Sequence, residues 1–303
     1  MQMTAPMMQM KPRSRLRSAA HGLLMLGLAL SAAPLWAADD SQISFEIAPG
    51  VTAHARLLGD GNIEVSSSRA KSRQVLPAST DEEGAGTRLG HADYNFDGYQ
   101  DLDTSATLGQ VNELVTVYLY EPASGQFRAL AAPSGSEISC DGLWSLTPDP
   151  ATRTLSSSCR SGPMWYTDIY RYQGSQLYLY RSMRNAFIDT EALAQVLALG
   201  AVDDAEILTV WSAWDAAGKR FETAIWNAFD PPTGDAPLQG RSASVVPDKL
   251  PLYSKAGDTS TKRYLLKGDR VELLDEADGW LQLRYRNPRR GPVLGWVKLP
   301  TSE

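Results

Sequence analysis

Apolar and polar residues alternate over much of the chain. From Val51 to Leu57, Val51, Ala53, Ala55 and Leu57 fall on one side of an extended segment and Thr52, His54 and Arg56 on the other. This period of two predicts a sheet with one wet face. Ile43 to Ile47, Ile63 to Ser66, Leu114 to Tyr120, Gln126 to Leu130, Trp165 to Tyr172 and Gln176 to Tyr180 predict further strands. Gly, Pro, Asp and Ser punctuate them, as in an antiparallel meander. One segment has a helical period: Asp189 is placed to cap it, Ala192, Leu193, Val196 and Leu197 share a face, and Gly200 is placed to end it. Ile207 to Ala213 and Phe221 to Ala228 flank Ala216-Ala217-Gly218-Lys219 and read as another hairpin, whose Trp211, Trp214 and Trp226 are expected in the core.

The run Asp230-Pro231-Pro232-Thr233-Gly234-Asp235-Ala236-Pro237 has the stiff, polar composition of a linker, so a domain boundary is expected near it. Beyond it, apolar runs near Pro251-Leu252-Tyr253, Tyr264-Leu265-Leu266, Val271 to Leu274, Leu281 to Tyr285 and Val293 to Leu299 are separated by Gly-containing turns. Five short strands in this space predict a small barrel. The expected fold class is therefore mainly β: a sheet domain with one helix, then the small barrel.

With 303 residues, 43% of them apolar, the chain can bury ordinary cores. Lys11, Arg13, Arg15 and Arg17 precede the apolar run from Ala19 to Leu35, and Ala37 offers a cleavage point with Ala38 as the alternative. Ser31 and Pro34 interrupt the run, which falls short of the roughly 20 clean apolar residues of a membrane span. Residues 1–37 are thus expected to be a secretory signal and the mature protein periplasmic and soluble. No cysteine follows the run, so lipid attachment there is not expected. After the leader, 25 basic residues face 35 acidic ones, a balance of −10. Such a body is repelled by nucleic acid and by anionic lipid, and favours basic protein partners.

Both cysteines lie in the mature part. Cys140 and Cys159 are equidistant from the boundary between Asp149 and Pro150, so a hairpin folded there is expected to set them opposite each other in a cross-strand disulfide. Two free thiols are the alternative. A catalytic cysteine or serine would need a base, and the mature chain has only His54 and His91; Gly-x-Ser-x-Gly, zinc, phosphate and dinucleotide motifs do not occur. His54 is expected to be solvated and His91 to serve packing or hydrogen bonding. The expectation is a non-enzyme. A glycosidase needs only two carboxylates about 5 to 9 Å apart, so a glycan hydrolase stays open, although Asp203-Asp204 read as exposed turn residues.

The sharpest chemical signal is DYNFDGYQDLD at 93–103. Asp93, Asn95 and Asp97 recur at every second residue, Gly98 permits a sharp turn, the Tyr99 carbonyl can point inward and Asp101 closes the set. Those oxygens suit a hard cation with six to eight ligands, which favours Ca2+ over magnesium. An acidic turn closed by its own hydrogen bonds is the alternative. An EF-hand would need Glu where this chain has Thr104. The loop instead resembles the Asp-x-Asp-x-Asp-Gly-x-x-Asp turns of FG-GAP and integrin-type β-propeller repeats, in one copy, and the resemblance implies a structural ion in a propeller-like sheet domain.

Two further resemblances bear on function. LYSKAGDTSTKRYLLKGDRVELLDEADGWLQLRY…GPVLGWVKL, with Lys267-Gly268-Asp269, Gly279-Trp280 and Gly295-Trp296-Val297, resembles the bacterial SH3-like domain, which implies such a domain at 243–303. Such domains bind cell-wall peptides or protein partners, or act as spacers, and Tyr253, Tyr264, Trp280 and Trp296 are the candidates to line a groove. Asp93 to Leu102, Tyr118-Leu119-Tyr120-Glu121-Pro122 with Gly125 and Phe127, and Pro148-Asp149-Pro150 followed by Thr154 to Gly162 resemble periplasmic proteins that include immunity proteins against secreted peptidoglycan hydrolases. This implies a β-rich calcium-turn domain, placed at 38–235, whose partner is such a hydrolase effector. The competing reading is a calcium-stabilised envelope or peptidoglycan-binding module.

Overall fold

The computed structural model describes residues 41–80, 86–200, 207–227 and 235–301. The expected leader, Asp203-Asp204 and most of the expected linker lie outside them. Four antiparallel strands open the fold, β1 (Gln42–Ala48), β2 (Val51–Leu57), β3 (Asn62–Ser67) and β4 (Gln74–Pro77), paired in sequence order. In β2 every second residue is buried, Val51, Ala53 and Ala55, as its alternation predicts.

A second meander follows, of β5 (Thr87–Ala92), β6 (Asp101–Leu108), β7 (Asn112–Glu121) and β8 (Gln126–Ala129). The apolar run of β7 has no wet face because the strand is covered on both sides. Tyr118 and Tyr120 join the first sheet's core around Phe45, Ile47 and Ile63. Val115, Val117 and Leu119 point the other way, into a core with Leu155, Tyr170, Leu177 and Leu179 of the third sheet. Sheet packing thus follows directly from strand alternation.

The third sheet has the order β15-β14-β12-β11-β10-β9, built from β9 (Thr147–Asp149), β10 (Thr154–Ser161), β11 (Met164–Gln173), β12 (Gln176–Asn185), β14 (Leu208–Trp214) and β15 (Arg220–Asn227). Between β12 and β14 lie helix α1 (Thr190–Val196) and β13 (Leu197–Leu199). Asp189 caps the helix by accepting from the Glu191 and Ala192 N–H groups, and Ala192, Leu193 and Val196 are buried. The helix does not run on to Gly200: at Leu197 the backbone turns extended, and Leu197 pairs with Val245. Of the three tryptophans, Trp211 is fully buried and Trp214 partly so, while Trp226 is 40% exposed.

The C-terminal part holds β16 (Ser242–Val245), β17 (Lys249–Pro251), β18 (Tyr264–Leu266), β19 (Arg270–Ala277), β20 (Trp280–Asn287) and β21 (Gly291–Lys298). Here the structure corrects the expected small barrel. The described strands form an open sheet in the order β13-β16-β19-β20-β21, with β17 and β18 paired apart as a ribbon. The cause is strand supply: β13 takes the position beside β16, and the ribbon meets the sheet through one bridge, Tyr253 to Trp296. The parts on either side of the linker share a core, in which Leu193, Leu208 and Ile225 pack with Leu273, Leu283 and Val297. At their seam Arg241 N–H donates to the Ile225 carbonyl and Leu273 N–H to the Arg241 carbonyl. Gly240 must be glycine there, since a Cβ would fall 1.9 Å from the Leu273 carbonyl oxygen.

Candidate metal centre

Residues 93–100 form the connection from β5 to β6, and the Gln100 N–H ties it to the first sheet by donating to the Ile47 carbonyl at 2.9 Å. Alternation divides the turn. Tyr94 and Phe96 are buried in the core between the second and third sheets, and the Asp97 side of the turn faces solvent. Phe96 adopts φ 58° and Gly98 φ 91°. The left-handed region favours glycine, so Gly98 makes the reversal possible and burial of its ring holds Phe96 in the same region.

The side chains close the turn on its own backbone. Asp93 accepts from the Asp97 N–H through Oδ1 at 3.1 Å and from the Gly98 N–H through Oδ2 at 2.9 Å. Asn95 Oδ1 also accepts from the Asp97 N–H at 3.1 Å, and Asn95 Nδ2 donates to Asp97 Oδ2 at 2.9 Å. Asp97 Oδ1 accepts from the Tyr99 N–H at 2.9 Å. The Tyr99 ring lies 5.7 Å from that of Tyr120. Asp101 is fully buried and anchors the turn to β7, its oxygens accepting from the Tyr94 and Tyr120 N–H groups, each at 2.8 Å. Burial pushes the Asp101 carboxyl up to about 7 against these two bonds, and the charges of Asp97 and Asp93 add to the rise.

The donor set is oxygen-only and carries three carboxylates, the chemistry of a hard cation. Each carboxylate oxygen that accepts one N–H keeps a second lone pair. In the arrangement described, however, no group of three or more His, Cys, Asp or Glu converges as a ligand set among the described residues. The five residues singled out by spacing are thus brought into one self-capped turn.

Two supporting residues escaped the sequence reading. Asp103 accepts from the Tyr94 hydroxyl at 2.9 Å and so fixes that ring beneath the turn. Gly90 makes room for it, because a Cβ there would lie 2.7 Å from the Asp103 oxygens. The Asp101-x-Asp103 repeat was the available signal. His91 stacks on Phe45 at 4.6 Å and its Nδ1 lies 3.0 Å from Gln100 Oε1, the packing and hydrogen-bonding role expected of it. His54 Nδ1 contacts Ser44 Oγ at 2.9 Å on an exposed face.

Cys140 and Cys159 form a disulfide with Cα atoms 6.0 Å apart. The hairpin that joins them differs from the expected one. Thr154 pairs with Asp149 and Ser156 with Thr147, which moves the axis two residues toward the C-terminus, and Cys140 lies outside any strand. Turns at 141–146 supply the displacement, and the Leu114 to Trp144 bridge ties them to β7. Beside the disulfide, the fully buried Asp168 accepts through Oδ2 from the Ser139 and Cys140 N–H groups at 2.9 and 3.1 Å. Its Oδ1 has no hydrogen-bond partner among the described residues.

Burial pushes the Asp168 carboxyl up to about 6. The folded state therefore holds this proton where the unfolded chain, at about 3.9, has released it. Its stabilising contribution is complete below about pH 4 and is lost as pH rises through about 6. Asp168 is expected to remove about 2 kcal/mol between about pH 4 and pH 7. Asp168→Asn should flatten this part of a stability profile measured by urea unfolding; an unchanged slope would refute the assignment.

Of the candidate groove residues, Tyr253 and Trp280 meet edge to face at 5.1 Å, and Trp280 is buried. Tyr253 and Trp296 are joined through their backbones. Tyr264 is 49% exposed on the β17–β18 ribbon, with Lys249 Nζ 4.1 Å from its ring centre. Among the described residues no helix is long and apolar enough to cross a membrane.

No family model and no curated protein matches the chain. Among solved structures, a Xanthomonas type IV secretion system related protein is similar at 16% identity, over 64% of this chain and 95% of that one, with a TM-score of 0.36.

Proposed function

We propose that the protein is an exported, non-catalytic inhibitor that binds and blocks an antibacterial cell-wall hydrolase, and that calcium braces its acidic turn. The observation that carries this reading is the distribution of charge. Between residues 38 and 242 the chain has 27 Asp and Glu against 14 Lys and Arg, a balance of −13, whereas 243–303 has 8 against 11. This stretch of the chain thus carries an excess of negative charge, which draws a basic partner and speeds its encounter. The leader-like N-terminal sequence and the resemblance to periplasmic immunity proteins support the same compartment and class of partner.

Asp93, Asn95, Asp97, the Tyr99 carbonyl and Asp101 would hold the ion. Calcium supplies positive charge to an arc of three carboxylates and takes no part in a chemical step. Asp101 meanwhile couples the turn to β7 through the Tyr120 N–H.

Titrating the mature protein into peptidoglycan hydrolases encoded beside its gene tests this reading. One lytic activity is expected to fall in proportion to the protein added, with association slowing as salt rises. Unchanged activity of every such enzyme, with the protein cosedimenting on purified sacculi, would replace this reading by the wall-binding one. Lysis of wall substrate by the protein itself would establish the hydrolase reading instead.

A further inference from the structure

The outer face of the C-terminal sheet carries a cleft of about 540 Å3. Its floor follows from alternation along β20. Leu281 and Leu283 are fully buried, so Gln282, Arg284 and Arg286 project from the opposite face. Register sets Leu294 of β21 beside Arg284, and Pro292 beside Arg286. Strand β15 supplies the wall with Arg220 and Phe221. Phe221 is 60% exposed and Leu294 52%, so two large apolar side chains face water in the same cleft.

Three arginines and one carboxylate line the cleft. Arg220 contacts Asp275 at 3.3 Å and Arg284 contacts Glu272 at 3.5 Å. Arg286 is exposed, and its side chain has no ion-pair or hydrogen-bond partner among the described residues. The acid in the wall, Glu222, is turned to the backbone, accepting from the Leu238 N–H at 2.9 Å. Of the three arginines that line the cleft, Arg286 alone is left without an acid partner among the described residues, and it stands beside the exposed apolar surface.

We infer that this cleft docks an extended acidic segment of a partner protein, seating an apolar side chain between Phe221 and Leu294 and placing carboxylates on Arg284 and Arg286. These arginines stand two residues apart on one strand, about 7 Å along it. Alternate side chains of an extended peptide have the same spacing, so Glu-x-Glu presents matching carboxylates. Recognition runs through side chains and not through strand addition. Pro292 has no N–H to offer at the edge of β21, and Arg263 already donates to the Leu294 carbonyl at 3.2 Å. The surface is separate from the turn at 93–101, and it takes a partner of the opposite charge to the hydrolase proposed above.

Fluorescence anisotropy on the full mature chain tests this with a fluorescein-labelled Glu-Leu-Glu-Leu-Glu peptide, its Gln and Lys counterparts, and an oligothymidylate of equal charge. The acidic peptide is expected to bind, and the Gln, Lys and nucleotide probes to bind at least about tenfold more weakly. Arg286→Glu is expected to weaken the acidic peptide by about tenfold or more, and Phe221→Ser to weaken it by a smaller factor. Both side chains are exposed, so both variants should melt with the wild type. Absence of binding by the wild type, equal binding by Arg286→Glu, or a nucleotide bound as tightly as the peptide would overturn the inference.

Discussion

Asp101→Ala is expected to destabilise the protein by about 3 kcal/mol, more than any other single change in the turn. The substitution removes the acceptor for the Tyr94 and Tyr120 N–H groups, both of which bond to this one carboxylate. A buried donor left unpaired costs about 1 to 3 kcal/mol. Two such losses exceed what is regained by no longer burying a carboxyl that burial has pushed up to about 7. Asp97→Ala provides the contrast: its side chain is exposed and accepts from the Tyr99 N–H at the rim of the turn, so without calcium it should cost about 1 kcal/mol or less. Urea unfolding of both variants in chelator checks the order. Equal losses would mean that Asp101 does not anchor the turn.

Loss of the Cys140–Cys159 bridge is the second large effect. Its partners are 19 residues apart, and closing a loop of that length in the unfolded chain is worth about 3 kcal/mol. The double variant Cys140→Ala, Cys159→Ala keeps the Cys140 N–H that Asp168 accepts, so the difference from wild type isolates the cross-link. It should unfold at lower urea with the same m-value, and titration of the denatured, unreduced wild type should find no thiol. Two thiols per chain would refute the bridge.

The strands most legible in the sequence were those whose burial follows apolar alternation, such as β2, or a continuous apolar run, such as β7. Strand β6 escaped because its buried residues include Asp101, Asp103, Thr104 and Ser105. Polar residues can fill a buried strand when distant partners satisfy them: Thr104 Oγ1 accepts from the Ser79 N–H at 2.9 Å, and the Ser79 hydroxyl donates to the Thr104 carbonyl at 3.0 Å. Local pattern carries no trace of such a partner. Strand β13 was hidden for another reason, since Leu197 continues the apolar face of α1 and only pairing with Val245 makes it extended. In the turn, spacing picked out Asp93, Asn95, Asp97, Tyr99 and Asp101, whose side chains and backbone close it by hydrogen bonds. It did not reveal that Asp101 faces the backbone of β7, nor that Asp103 and Tyr94 support the loop from below, because both depend on contacts between sheets.

The claim that calcium braces this turn is tested most directly by thermal unfolding of the mature protein in chelator and in excess calcium, beside Asp97→Ala. The wild type is expected to melt at a higher temperature with calcium, and Asp97→Ala at one temperature in both solutions. Superimposable wild-type curves in chelator and calcium would contradict the account and leave the turn closed by its own hydrogen bonds alone.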